Sequence, residues 1–243
     1  MRFLLYNIRY GTGVGDDFHF PFPFSGYFKR SQRHLANITS FIKSVSPDVV
    51  GLVEVDCGSF RTHWRNQAQV IADELGHYHV FQSKYRPKSL IQRIPVMNKQ
   101  GNAFLTGQEI KTRTFHYFTK GIKRLVIELE LECCTIFLVH LSLKFRHRQN
   151  QLGDLYKLIK EVKKPVIVAG DFNAVWGEQE LRLFRAATGL EDANRDGLPS
   201  YPALAPRHQL DVILHSPEIR MTGFEIRQVC YSDHLPVIFD FEV

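Results

Sequence analysis

Acids, amides and histidines of this 243-residue chain stand at the ends of apolar runs. A carboxylate there is costly unless it is paired, hydrated or metal-bound. Asn7 follows Phe3-Leu4-Leu5-Tyr6, Glu54 closes Val49-Val50-Gly51-Leu52-Val53, and His140 closes Ile136-Phe137-Leu138-Val139. Gly170-Asp171-Phe172-Asn173 directly follows Val166-Ile167-Val168-Ala169. Asp211 opens Val212-Ile213-Leu214, and Ser232-Asp233-His234 precedes Leu235-Pro236-Val237. Acids gathered on one rim, with few lysine or arginine neighbours in view, point to a divalent cation. Hard oxygen ligands with retained water suit Mg²⁺ or Mn²⁺, and no Cys/His pair argues for zinc. Histidines at strand ends can serve as general base or as electrophile near neutral pH. Each fragment alone is more often structural than catalytic; the joint arrangement carries the case.

Positioning these groups on one rim requires buried strands side by side, with their ends at the same edge of a sheet. The order of patterns is that of an α/β chain. Strands are expected at 2–8, 49–54, 78–82, 102–106, 125–131, 135–140, 165–169, 210–214, 224–229 and 235–241. Helices are expected from a Ser31 cap to Val45, over 62–75, over 148–162 and over 178–187. In the third of these, Leu152, Leu155, Ile159 and Val162 share one side and Lys157, Lys160 and Lys164 the other, a pattern read as core face and solvated face. The stretch 83–100 is polar and loop-like. With no repeat and no Gly/Ser/Pro-rich linker, residues 1–243 read as a single domain.

One segment departs from this pattern. Phe18-His19-Phe20-Pro21-Phe22-Pro23-Phe24-Ser25-Gly26-Tyr27-Phe28 suits neither a helix nor a central strand. It reads as a packed loop near Asn7, or as an aromatic wall at the mouth of the site. Composition is that of an ordinary globular protein, and the net charge of +6 leans toward polyanionic partners. Four cysteines, at 57, 133, 134 and 230, match no zinc spacing and read as free thiols. The apolar run at the start is too short for a secretion signal, and no stretch is long enough to span a bilayer, so a cytoplasmic location is expected.

Seven blocks together carry a resemblance: Tyr6-Asn7-Ile8-Arg9, Val49-Val50-Gly51-Leu52-Val53-Glu54, Gly101-Asn102-Ala103, Val139-His140-Leu141, Gly170-Asp171-Phe172-Asn173, Leu210-Asp211-Val212-Ile213-Leu214 and Ser232-Asp233-His234-Leu235-Pro236. In this order they resemble the endonuclease/exonuclease/phosphatase superfamily, which includes DNase I, abasic-site endonucleases, neutral sphingomyelinases and inositol-polyphosphate 5-phosphatases. The resemblance implies an α/β (α+β) fold, a DNase I-like four-layer α/β/β/α sandwich with two central mixed sheets. It further implies that Glu54 and Asp233 hold the metal with Asn7 close by, and that Asp171 and Asn173 align water and phosphate. His140 would donate to a phosphate oxygen, and His234, oriented by Asp211, would act as base or phosphate contact. Arg9 and Asn102 would bind substrate phosphate. The chain departs from the family in carrying Val53 where a glutamine is frequent. Its Ala174-Val175-Trp176-Gly177 lacks a nearby proline, and no tyrosine follows Asp211; Arg9 resembles DNase I more than abasic-site enzymes.

The activity expected is Mg²⁺-dependent phosphodiester hydrolysis, with nucleic acid as substrate. The basic balance and the clusters Arg86/Lys88/Arg93 and Lys144/Arg146/Arg148 favour it. The second reading is a hydrolase of phospholipid head groups or small phosphate esters, favoured by the aromatic segment. A binding module without activity is the third, opposed by retention of every expected acid and both histidines. No obligate protein partner is expected.

Overall fold

A computed structural model describes residues 1–15, 32–85, 93–175 and 179–243. Ser31, the segment Phe18 to Phe28, and Arg86 and Lys88 therefore lie outside the described residues. The elements run β1 (Arg2–Asn7), α1 (Gln32–Val45), β2 (Val49–Asp56), α2 (Gln67–Leu75), β3 (Tyr78–Ser83), β4 (Gln100–Thr106), β5 (Thr112–Tyr117) and β6 (Leu125–Glu130). There follow β7 (Thr135–His140), α3 (Phe145–Lys160), β8 (Val166–Asp171), α4 (Gln179–Thr188), β9 (Glu191–Asp192), β10 (Asp211–His215), β11 (Arg220–Ile226) and β12 (Val237–Glu242).

The strands form two six-stranded sheets, ordered β11-β12-β1-β2-β4-β3 and β5-β6-β7-β8-β10-β9. Each sheet has one parallel pair at its centre, β1 with β2 and β7 with β8, and its other described pairings are antiparallel. Strands covered on both faces need apolar residues at every position, which is why these four read as unbroken apolar runs. Alternation then sorts the side chains. Phe3 and Leu5 enter the core between the sheets, with Ile127, Leu138 and Ile213 of the second sheet. Leu4 and Tyr6 point outward to Leu35, Ile38 and Ile42 of α1. On the opposite outer face Phe137 and Val168 meet Leu152 and Leu155 of α3 and Phe184 of α4. The four-layer α/β/β/α sandwich is thus a consequence of period-2 patterning in the strands and period-3.6 patterning in the helices.

Several expected boundaries shift. The second expected helix begins only at Gln67, capped by the Asn66 side chain; residues 60–62 form a 3₁₀ turn, and His63 and Trp64 have left-handed backbones that end it. Strand β5, whose first half is exposed, and the two-residue β9 were not anticipated. Among the described residues no helix is long and apolar enough to cross a membrane, and all four cysteines are free.

Candidate active site

Register brings the site together. His140 on β7 is the direct neighbour of Asp171 on β8, which is the direct neighbour of Asp211 on β10. Asn7 reaches across from the other sheet, its Nδ2 donating to Asp171 Oδ2 at 3.1 Å. The same oxygen lies 3.1 Å from His140 Nε2 and 3.9 Å from His234 Nε2. Asp171 Oδ1 accepts the backbone N–H of Asn173 at 3.0 Å, and the Asn173 amide donates to Leu141 O at 2.9 Å. Asp211 Oδ2 accepts from Ser200 Oγ and pairs with His234 Nδ1, each at 2.7 Å. The Tyr201 ring packs 4.8 Å from the His234 ring, so that imidazole is fixed on two sides.

Backbone irregularities aim the remaining groups. The β2–β4 register shifts between Leu52 and Val55, and Glu54 within that bulge has φ 57°. A bulge redirects a side chain that a regular strand would bury or expose. The Glu54 N–H is held by Asn102 Oδ1 at 3.3 Å, so Asn102 reaches the site through Glu54. Arg9 (φ 46°) and Asn173 (φ 50°) are also left-handed, and such conformations in non-glycine residues persist only where surrounding contacts impose them. Gly170 has φ +153°, and a Cβ there would stand 1.9 Å from Val139 O; only glycine lets β8 lie close enough to deliver Asp171.

The expectation that the acids have few cationic neighbours is corrected. Arg9 Nε lies 3.2 Å from Asp233 Oδ2, and its Nη1 donates to Gly13 O at 3.1 Å. Lys123 contacts His140 Nε2 and stands 3.8 Å from Glu54 Oε1. Lys123 is delivered by Gln151 of α3, whose Nε2 donates to the carbonyls of Lys120 (3.0 Å) and Lys123 (2.6 Å). Behind Glu54, half-buried Lys84 donates to the Tyr10 hydroxyl at 2.8 Å. The basic cluster beyond His140 also loses a member. Arg148 is buried, bonded to Glu180 at 2.6 Å and to the Ser142 carbonyl at 3.0 Å, because it lies one turn before Leu152 on the inward face of α3.

These contacts set the charge states. Burial favours a neutral Asp171, but His140, His234 and Lys123 outweigh it and hold the carboxyl well below the usual range. Burial likewise opposes charge on His234, yet Asp211, Asp171 and Asp233 push its pKa up to about 10. His140 moves the other way, lowered by burial and by Lys123 against the pull of Asp171. Burial raises Asp233 despite His234 and Arg9. Burial also lowers Lys84 to about 7, against the pull of Glu54.

All ten sequence-predicted residues thus lie at one end of the sandwich and most touch one another, whereas Lys123, Lys84 and Gln151 were missed. Among the described residues no group of three or more His, Cys, Asp or Glu side chains is gathered closely enough to hold a metal ion. Mg²⁺ asks for less, since it keeps several waters and uses one or two carboxylates with substrate phosphate. Glu54 and Asp233, partly open at 17% and 23% side-chain exposure, are carboxylates that could serve in this way, and the Asn7 amide lies at the end of the strand that pairs with β2.

Comparison with known proteins places the chain in a family and the fold among solved relatives. The model of the Endonuclease/Exonuclease/phosphatase family matches residues 4–234. The uncharacterized protein YbhP of Escherichia coli (strain K12) is 26% identical over 226 residues, covering 84% of this chain and 86% of that protein. The mannosyl-6-phosphatase Bt3783 of Bacteroides thetaiotaomicron superposes over 100% of both chains with a TM-score of 0.74 at 15% identity. The 3′ phosphatase NExo from Neisseria, bound to a product DNA hairpin, covers 100% of both chains with a TM-score of 0.69 at 14% identity. The chain belongs to the endonuclease/exonuclease/phosphatase family.

Proposed function

We propose that the chain is a magnesium-dependent phosphodiester hydrolase. The observation that carries this reading is the Asn7–Asp171 hydrogen bond of 3.1 Å, which ties an amide of one sheet to the ionised carboxylate of the other between two histidines. Hydrolysis at phosphorus needs an oriented water and donors where oxygen charge develops. Asp171, fixed by Asn7 and the Asn173 N–H, orients the water. His234, kept as imidazolium by Asp211, donates to a phosphate oxygen, and Lys123 adds a second cation over the same space. Glu54, with Asn7 and Asp233, would hold Mg²⁺, whose chemistry is to neutralise phosphate oxygens.

Nucleic acid is the substrate class supported by the charge of +6, by exposed Lys144 and Arg146 beyond His140, and by the DNA-bound NExo neighbour. A phospholipid head group is the second reading, favoured by exposed apolar residues around the site mouth. The two share the phosphodiester. The test is hydrolysis of bis-p-nitrophenyl phosphate and nicking of supercoiled plasmid with Mg²⁺, beside EDTA and His234→Ala controls. Turnover of the small diester that both controls abolish supports the reading; no turnover of either substrate at high protein concentration overturns it.

A further inference from the structure

The exposed apolar side chains are unevenly placed. Trp64 follows β2, Ile122 lies in the β5–β6 turn, Leu143 and Phe145 follow β7, Val175 follows β8, and Leu204 lies before β10. Strand register puts all of these loops at the end of the sandwich that carries the site. Leu125 opens β6 beside the His140 end of β7, and Asp211 opens β10 beside Asp171. Their exposures run from 42% for Val175 to 75% for Trp64. The other exposed large apolar residues among those described are Phe60, beside Trp64 after β2, Leu198, in the same β9–β10 connection as Leu204, and Tyr78, Leu183 and Val243, which lie elsewhere.

Single exposed apolar residues need no explanation, but a set confined to the loops around one pocket marks an interaction surface. Charge identifies its partner. Exposed Arg65, Lys120, Lys144, Arg146 and Arg207 are interleaved with the apolar tips, as in Leu143-Lys144-Phe145-Arg146. Across loops 57–66, 118–124, 141–147 and 172–175 the sequence contains no acid at all. A nucleic-acid strand is gripped by cations and stacked on aromatic rings. Trp64 and Phe145 carry rings, but Ile122, Leu143, Val175 and Leu204 have none to stack, and a mixture of aromatic and aliphatic tips beside cations suits the boundary between anionic head groups and acyl chains.

We propose that this end of the molecule docks on an anionic lipid surface, with its apolar tips inserted and its cations on the head groups. The site would then open onto phosphodiesters held at that surface, which takes up the phospholipid reading of its substrate in place of the nucleic-acid one. This identification of substrate rests on the reading of the site as a phosphodiesterase; the docking itself does not.

The test is flotation of the full chain with vesicles of phosphatidylcholine containing 30% phosphatidylglycerol, beside pure phosphatidylcholine vesicles and a single-stranded oligonucleotide. Leu143→Ser/Leu204→Ser and Lys120→Glu/Arg207→Glu are compared with the parent, since these four exposed side chains are not among the catalytic or metal-holding groups. The expected result is binding to the anionic vesicles that falls at least fivefold in each double variant, with hydrolysis of bis-p-nitrophenyl phosphate unchanged. No binding to anionic vesicles, binding indifferent to the Leu143→Ser/Leu204→Ser pair, or oligonucleotide binding lost through that pair while vesicles are ignored would each overturn the proposal. Vesicle binding without diester turnover would sink the phosphodiesterase reading and leave the docking surface standing.

Discussion

Asp171 and Asp211 are direct cross-strand partners on β8 and β10, so the fold sets two carboxylates side by side in its interior. Like charges directly opposite destabilise a sheet unless cations intervene. His234 is that cation, 2.7 Å from Asp211 and 3.9 Å from Asp171. The pair therefore explains both why His234 is held protonated and why the site needs it.

Asp171→Asn keeps the shape of this centre and removes its charge. His140, Asn7 and His234 all converge on Asp171, so turnover should fall by about 10²- to 10⁴-fold while the far-ultraviolet spectrum stays unchanged. A loss under tenfold would assign the water to another residue.

His234 makes a signed prediction for stability in the absence of metal. Its folded pKa of about 10 lies above the unfolded value of 6.5, so its contribution is full below pH 6.5 and fades as pH rises through 10. The melting temperature of the parent minus that of His234→Asn should thus be greatest at pH 6 and shrink toward pH 10. For activity, an imidazolium donor gives a rate that does not climb as pH rises through the neutral range. A rate that climbs through that range would mean that His234 works neutral, as a base.

Lys84 slopes the opposite way. Its folded pKa of about 7 lies below the unfolded 10.5, so the cost of burying the ammonium is full below pH 7 and relieved as pH rises toward 10.5. Lys84→Met should therefore gain most over the parent near pH 6, by a few degrees in melting temperature, with the gap closing by pH 10. A pH-independent gap would mean that Lys84 is hydrated rather than buried beside Tyr10.

Which parts of this were legible in the sequence follows from how each residue earns its place. Asn7, Glu54, His140, Asp171 and Asp211 stood out because their chemistry contradicts the apolar runs they adjoin, and strands buried on both faces fix which end of the sheet they occupy. Strand β5 did not stand out, because an edge strand with an exposed first half has no apolar run to announce it. Lys123 and Lys84 were invisible for a related reason: long side chains in polar loops reach the site only through register and through Gln151, neither of which is local. Arg148 was legible after all, since it shares the spacing of Leu152, Leu155 and Ile159, and a charge on the inward face needs a partner; Glu180 is that partner.

Lys123→Ala should reduce turnover by about 10²- to 10³-fold, as loss of one donor to a developing oxyanion does. Lys123→Arg should recover part of it, whereas equal loss in both would mean that the loop, and not the charge, matters. Steady-state rates on the small diester decide this.

Arg148→Ala should destabilise the protein by about 3–5 kcal/mol, because it leaves the Glu180 carboxylate buried without its cation. It also strips the hydrogen bonds to Ser142 O and Leu143 O, next to the loop that carries Lys144 and Phe145. Urea unfolding would read the effect; a cost below 1 kcal/mol would place water at Glu180.

Strand β1 lies between β2 and β12, and the Phe241 N–H donates to Met1 O at 2.9 Å. During synthesis, then, β1 leaves the ribosome more than 200 residues ahead of the β12 that covers its edge. Until β12 arrives, an apolar strand keeps an open hydrogen-bonding edge, the template on which chains pair wrongly. Asp233 and His234 reach the site in the same late step that closes this edge. A nascent chain can therefore assemble the His140–Asp171 half of the centre early, yet gains its chemistry only at the moment its most aggregation-prone edge disappears.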